Sequence, residues 1–417
     1  MQPRGVIESS LDRHGQVTAP SRLGRASGCT MGAMRILMVA ESFLPHMNGV
    51  TGSVLKVADE FAAAGDELAI IAPGGRGAVK QIRTSCGRTV SVQRVASVPM
   101  AGYQQVRVAT TSALSLRRRI SEFRPDIVHL ASPTILGGRA MVAAEQVGVP
   151  TVAIYQTDIP GYTRKYGMPF LEAASWELLR DLHNRATLTL APSTATRDEL
   201  VSHGIERVHL WRRGVDTSQF SPELRSQAVR DQLADPGERI VVYVGRLAPE
   251  KQVGDLRVVH DIPGVRLVIV GDGPDAPALR RSLPRARFVG FKKGRELAEL
   301  IASADLFIHP GELETFCQTI QEAMASGLPA IAPRSGGPID LIAPSRTGWL
   351  YTPGMLDELR ERAIDLLFDD AKREAFGEAA LESVRKRTWP VLAEQLRGYY
   401  QQAIAYHART PRAARRF

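Results

Sequence analysis

The chain has 417 residues, 44% apolar and 23% charged, which supplies core material for about two to three domains and excludes a wholly disordered polypeptide. No apolar run is long enough to cross a membrane as a helix. The net charge of +9 sits largely at the ends, +2 on residues 1–33 and +4 on residues 407–417, so the body offers no extended nucleic-acid face.

Cys29, Cys86 and Cys317 are too scattered for a disulfide framework or a paired-cysteine metal site, as expected of a chain in the reducing cytoplasm. Residues 1–33 are rich in Ser, Gly, Arg and Gln, lack the apolar stretch of a secretory signal, and are predicted to be disordered. Met31 and Met34 are candidate initiators. Met34 opens the apolar run Met34 to Ala40, of the kind that forms a buried parallel strand.

From there helices and strands alternate. Helix 53–64 precedes strand 67–72, helix 113–123 precedes strand 126–130, and helix 138–147 precedes strand 150–155. Strand 187–191, helix 194–203 and strand 207–211 follow. After the turn-rich residues 212–222 the rhythm restarts: strand 239–244, helix 252–260, strand 265–270, helix 275–282, strand 286–289, helix 294–302, strand 305–308, helix 315–326, strand 329–332 and helix 355–368. This pattern predicts an α/β chain of two Rossmann-like, doubly wound parallel-sheet domains facing a deep cleft, residues 34–212 and 213–389, with 212–222 as a hinge. Trp389-Pro390 breaks the last helical stretch, so residues 390–406 are expected to turn and pack back on the first domain, leaving 407–417 as a basic tail.

The stretch Gly311 to Glu322 follows a strand and runs into a helix. Glu314 stands just before the helix and Glu322 about two turns inside it. Carboxylates accept hydrogen bonds from sugar hydroxyls, and the free amides of the first helical turn, near Thr315, Phe316 and Cys317, suit a phosphate. A nucleotide sugar has that layout. Taken alone, Glu314 also reads as a helix N-terminal carboxylate and Glu322 as a solvated side chain. The stretch Gly245 to Lys251 follows another strand and brings Arg246 and Lys251 to the cleft mouth, where two cations suit a leaving diphosphate; in isolation they read equally as a surface pair. Gly271-Asp272-Gly273-Pro274 is a glycine turn without the dinucleotide fingerprint. In the first domain Asn48-Gly49 joins the first strand to its helix, and Gly49 leaves room for a phosphate or acceptor. His129 and the stretch Tyr155 to Asp158 end strands and are expected at the cleft edge. The nine histidines show no zinc-ligand spacing, so no metal site is expected.

Together Asn48-Gly49-Val50, His129, Arg246 with Lys251, and Glu314 with Glu322 resemble the retaining GT-B glycosyltransferases of family 4, over about residues 34–406. The stretches Val39 to Pro45, Tyr155 to Gly161 and Gly311 to Gln318 resemble those of actinobacterial GDP-mannose-dependent α-mannosyltransferases that act on lipid acceptors. The resemblance implies that Arg246 and Lys251 bind the donor diphosphate, Glu314 the transferred sugar and Glu322 the ribose. It also implies that Gly49 borders the phosphates, that His129 contacts the sugar near the reacting centre, and that no metal or other cofactor takes part. Cys317 stands where many relatives carry Gly, which puts close approach of phosphate there in doubt.

The partners implied are a nucleotide-sugar donor and a lipid or glycolipid acceptor, with peripheral contact to anionic membrane at the inner face of the plasma membrane. In helix 113–123, Leu116, Ile120 and Phe123 form a stripe flanked by Arg117, Arg118, Arg119 and Arg124, a pattern that suits an anionic membrane or a sheet face equally. A UDP-sugar transferase of the same fold and a nucleotide-sugar 2-epimerase remain open, base selection being expected near residues 287–294.

Overall fold

The computed structural model describes residues 32–100, 103–165 and 167–410. Nearly all of the expected N-terminal extension and residues 411–417 of the basic tail therefore lie outside the described residues.

The apolar runs form buried strands, as their composition predicts. The first half contains β1 (Arg35–Ala40), β2 (Glu67–Pro73), β3 (Gln81–Arg83) and β4 (Thr89–Val95), then a separate hairpin of β5 (Ser97–Met100) and β6 (Tyr103–Ala109). It continues with β7 (Ile127–Ala131), β8 (Thr151–Ile154), β9 (Leu188–Ala191) and β10 (Val208–Leu210). These build a sheet in the order β10-β9-β8-β7-β1-β2-β4-β3, parallel throughout except at the β3–β4 edge. The second half contains β11 (Arg239–Val244), β12 (Val265–Val270), β13 (Arg287–Gly290), β14 (Leu306–Ile308), β15 (Ala330–Pro333) and β16 (Gly348–Tyr351), all parallel, in the order β13-β12-β11-β14-β15-β16.

Each sheet is covered on both faces. In β1, Ile36, Met38 and Ala40 enter one core layer and Leu37 and Val39 the other, the period-two alternation of a strand. The first of these layers is completed from the far end of the chain. Trp389, Leu392, Leu396 and Tyr400 of the final helix, Trp389–Arg409, pack on Val54, Phe61 and the β1 side chains. Trp211 Nε1 donates to Leu392 O at 2.9 Å, and the Arg397 guanidinium pairs with the buried Asp66 carboxylate.

Several boundaries differ from the sequence reading for local reasons. The first helix starts at Gly49, where Asn48 Oδ1 accepts from Thr51 N at 2.9 Å, an N-cap that lengthens the expected element. The expected helix 252–260 is a 3₁₀ turn, Val253–Leu256, running into a short helix, Arg257–His260, and Gln252 at φ 49° sets it off from the preceding 3₁₀ turn Pro249–Lys251. The helix expected from 315 starts at Gln318, after Cys317 at φ 69°. Pro390 does not break a helix but stands in the first turn of one, where its missing N–H costs nothing. That helix runs through Arg409, so the expected tail residues 407–409 are helical. Strands β3–β6 and the helices Glu172–Arg185 and Asp370–Val384 were absent from the reading.

The halves are joined by two chain crossings that touch. Val215 N donates to Arg387 O at 2.8 Å, and a Cβ on Gly214 would stand 2.6 Å from Trp389 N, a separation that no side chain tolerates.

Tyr400 provides a test of how the final helix is held. Its hydroxyl lies 2.6 Å from His129 Nδ1, both groups being buried. Tyr400→Phe leaves that nitrogen unpaired and is expected to cost about 1–2 kcal/mol, read as a lower urea midpoint with an unchanged slope.

Candidate active site

In open parallel sheets, ligands bind beyond the strand C-termini where the strand order reverses. In the second sheet this point lies between β11 and β14, and the loops leaving those strands are Gly245–Lys251 and His309–Cys317. In the first sheet it lies between β1 and β7. There the loop after β1 leads to Gly49. The helix Ile135–Val147 that follows β7 has its free amides taken by Glu41, whose carboxylate accepts from Thr134 N at 2.7 Å, Gly137 N at 2.8 Å and Leu136 N at 3.1 Å. An anion site is thus filled in cis at one side of the crevice, which leaves Gly49 as the open approach.

At the second switch point Lys251 Nζ lies 2.5 Å from Glu314 Oε1. His309 Nε2 lies 2.8 Å from the same oxygen, although neither ring nitrogen has a well-aligned hydrogen bond among the described residues. Burial alone would raise the Glu314 carboxyl, but Lys251 and His309 hold it well below the usual carboxylate range. Burial alone would lower the Lys251 ammonium; Glu314 outweighs that and raises it. His309, which sequence reasoning missed, is raised to about 9 against its burial by Cys317 and Glu314. The loop is backed by Gly337, whose N–H donates to Glu314 O at 2.6 Å.

Arg246 is half-exposed, its Nη1 4.0 Å from Glu250 Oε1. Its loop is braced by the Gly271–Pro274 turn through Leu247 N donating to Asp272 O at 3.0 Å, so that turn supports another loop. Thr315 Oγ1 donates to Gln156 O of the first half at 3.2 Å. Phe316 and Cys317 are buried in the second core. Glu322, two turns into its helix, is raised to about 7 by burial, against the opposing pull of Gln318, Lys56 and Arg213.

Two expectations are corrected. His129 is not at the cleft. The strand places it on the face beneath the final helix, two residues before the C-terminal end of β7, where it is 1% exposed and paired with Tyr400. Burial lowers its imidazole to about 3, so it is a neutral core group. The stripe of helix Ala113–Phe123 is not free for a membrane: Leu116 and Ile120 are fully buried in the first half, and Phe123 carries the Arg35 guanidinium over its ring at 5.1 Å. Arg117 and Arg118 remain exposed. No helix among the described residues is long and apolar enough to cross a membrane.

In the sequence Arg213 falls within the turn-rich residues 212–222 and Gln156 within the strand-end stretch Tyr155 to Asp158. The structure places both, buried, at the junction of the halves, Arg213 Nη2 donating to Gln156 Oε1 at 2.6 Å. His309, Glu314 and Cys317 offer ligand atoms within 4.8 Å of one another, a convergence hidden by their H-x4-E-x2-C spacing. The Lys251 ammonium already holds the Glu314 oxygen, so a cation there would have to displace another.

With this geometry in hand, comparison with known proteins is informative. The Glycosyltransferase Family 4 model matches residues 47–219 and the Glycosyl transferases group 1 model matches residues 225–383. The chain is 45% identical to a GDP-mannose-dependent alpha-mannosyltransferase of Mycobacterium tuberculosis, over 89% of this chain and 97% of that protein. It is 30% identical to a GDP-mannose-dependent alpha-(1-6)-phosphatidylinositol dimannoside mannosyltransferase of the same species, over 74% of this chain and 82% of that protein. The sucrose-phosphate synthase structure from Thermosynechococcus elongatus superposes with a TM-score of 0.75 at 19% identity, covering 89% of this chain and 99% of that one. That likeness shows the GT-B fold.

The raised Glu322 carboxyl has a consequence for stability. Its folded value lies above its unfolded one, so its contribution is fully present below about pH 4.5 and is lost as pH rises through about 7. The ligand-free protein is expected to lose melting temperature between pH 5 and 8, and Glu322→Gln to flatten that part of the profile.

Proposed function

Because the chain belongs to glycosyltransferase family 4, we propose that it transfers mannose from GDP-mannose to a lipid or glycolipid acceptor in α linkage, with retention of configuration. The observation that carries the site assignment is the Lys251–Glu314 pair at the second switch point, with Arg246 on the adjoining loop and Glu322 two turns along the helix. Identity to the named mannosyltransferases supports mannose as the sugar. The phosphatidylinositol dimannoside relative supports a lipid acceptor, and the exposed Arg117 and Arg118 suit an anionic membrane at the cytoplasmic face.

Chemically, the reaction needs charge to be stabilised as the diphosphate leaves and the sugar becomes cation-like. Arg246 and Lys251 supply two positive groups there, and the first turn of the helix Gln318–Ala325 presents free amides to a phosphate. This arrangement stabilises the leaving group without calling on a metal ion. Glu314 accepts from sugar hydroxyls and Glu322 from the ribose. In the ligand-free protein Lys251 and Glu314 hold each other, so donor binding exchanges one buried pairing for two contacts to the ligand. His129, buried beneath the final helix, takes no part.

Lys251→Met and Glu314→Gln each leave a mostly buried charge short of its partner, at an expected cost of about 3–5 kcal/mol. The double variant is expected to regain much of that stability in denaturant melts while transfer stays lost; recovered transfer would remove both residues from the chemistry. The nucleotide is read by melting the protein with GDP, UDP, ADP and GDP-mannose, with and without EDTA. A GDP-selective rise insensitive to EDTA is expected, and a UDP-selective rise would overturn the sugar assignment.

A further inference from the structure

The cations around the cleft differ in how they are neutralised. Lys251 lies against Glu314 at 2.5 Å, Lys56 against Asp216 at 2.8 Å, Arg212 against Asp340 at 2.9 Å, and Arg246 faces Glu250 at 4.0 Å. Arg213 is 8% exposed and, among the described residues, has no carboxylate within ion-pair distance. Glu314 and Glu322 act on it only from farther off, and burial lowers its guanidinium to about 10. Of its five N–H donors, one is matched among the described residues, by Gln156 Oε1 at 2.6 Å.

Gln156 is itself half-used. Its side-chain oxygen accepts from Arg213, while its Nε2, on a residue 8% exposed, is buried without a hydrogen-bond partner among the described residues. The two groups thus present unsatisfied N–H donors in one place, at the seam of the halves. Gly49 stands directly against the guanidinium: a Cβ there would lie 3.1 Å from Arg213 Nη1. The missing side chain keeps the guanidinium open toward the loop that follows β1. A buried cation and an orphaned amide are each costly when unmatched, and an oxyanion satisfies both at once.

We propose that Arg213, aimed by Gln156, is an oxyanion-binding residue of the cleft, its guanidinium and the Gln156 amide together gripping a phosphate of the bound substrates. The proposal rests on the reading of this cleft as a donor site and deepens it. The phosphate has two sources, the donor diphosphate and the headgroup of a phosphate-bearing lipid acceptor. Because Arg213 comes from a chain crossing while Gln156 belongs to the first half, the grip depends on how the two halves are held together.

The test compares the parent protein with Arg213→Met, Arg213→Lys and Gln156→Leu. Calorimetric titration with GDP and GMP, and with UDP and UMP, measures how much each protein gains from the second phosphate. If the donor diphosphate is gripped, Arg213→Met is expected to lose about ten- to a hundred-fold in diphosphate affinity with monophosphate affinity nearly unchanged. Arg213→Lys is expected to retain part of the affinity, and Gln156→Leu to fall between. If the acceptor headgroup is gripped, nucleotide affinities stay at parent values, and glycerol 3-phosphate raises the melting temperature of the nucleotide-saturated parent but not of Arg213→Met. Parent-like diphosphate-to-monophosphate ratios together with no difference in the glycerol 3-phosphate response would overturn the proposal. Should Arg213→Met not fold, the same two readouts on Arg213→Lys and Gln156→Leu decide it. Selectivity of the parent for UDP over GDP would sink the GDP-mannose reading and leave this proposal to be read from the UDP and UMP pair.

Discussion

The contact of two chain crossings at Gly214 fixes the rest of the molecule. The backbone at Gly214 meets the start of the final helix so closely that a Cβ would stand 2.6 Å from Trp389 N. The carbonyls on either side of that contact are spent on one helix of the second half: Gly214 O accepts from Gln318 Nε2 and Arg213 O from Gln321 Nε2, each at 3.0 Å. That helix also carries Glu322 and is entered through Glu314. The seam therefore sets where both carboxylates stand relative to Gly49 and Gln156. A larger residue at 214 would move two strands of chain apart and, with them, the two walls of the cleft.

Electrostatic economy follows from this geometry. Isolated buried charges are expensive and buried pairs roughly break even, so a ligand-free cleft that keeps Lys251 on Glu314 holds both charges at low cost. The pair is poised because both members sit at strand ends in a switch-point crevice, one after β11 and the other after β14, rather than neighbouring each other in sequence. Glu41 works on the same logic at the other sheet. It fills the helix N-terminus beside the crevice with the chain's own carboxylate and so leaves fewer places where an anion can settle.

The parallel sheets were legible because fully buried strands are written as short apolar runs, and β1, β11 and β12 read that way without ambiguity. Strands β3 and β4 carry Arg, Ser and Gln on a sheet edge and have no such signature. The helix Glu172–Arg185 shows its stripe of Trp176, Leu179 and Leu182 only when residues after β8 are scanned at helical spacing. Among the candidate site residues, Arg246, Lys251 and Glu314 could be placed in the fold because strand ends are readable. His129 was read as a strand end, whereas β7 runs on to Ala131 and keeps the imidazole on the sheet face under the final helix. His309, Gln156 and Arg213 were not legible as a site, since their partners lie across the fold: Arg213 meets Gln156 from 57 positions away, and no local pattern records that. Cys317, at φ 69°, delays its helix by one turn in a way that composition does not disclose.

The final helix has a consequence for the order of assembly. Trp389, Leu392, Leu396 and Tyr400 close a core whose other members begin at Met34, yet they are translated after the whole of the second half. During synthesis the second sheet has all its strands while the core layer around Ile36, Met38, Val54 and Phe61 still lacks the four side chains that complete it. The half of the protein that leaves the ribosome first is thus the half that is finished last, and the nascent chain must carry an open apolar face, the kind of surface that chaperones bind, until its last helix arrives.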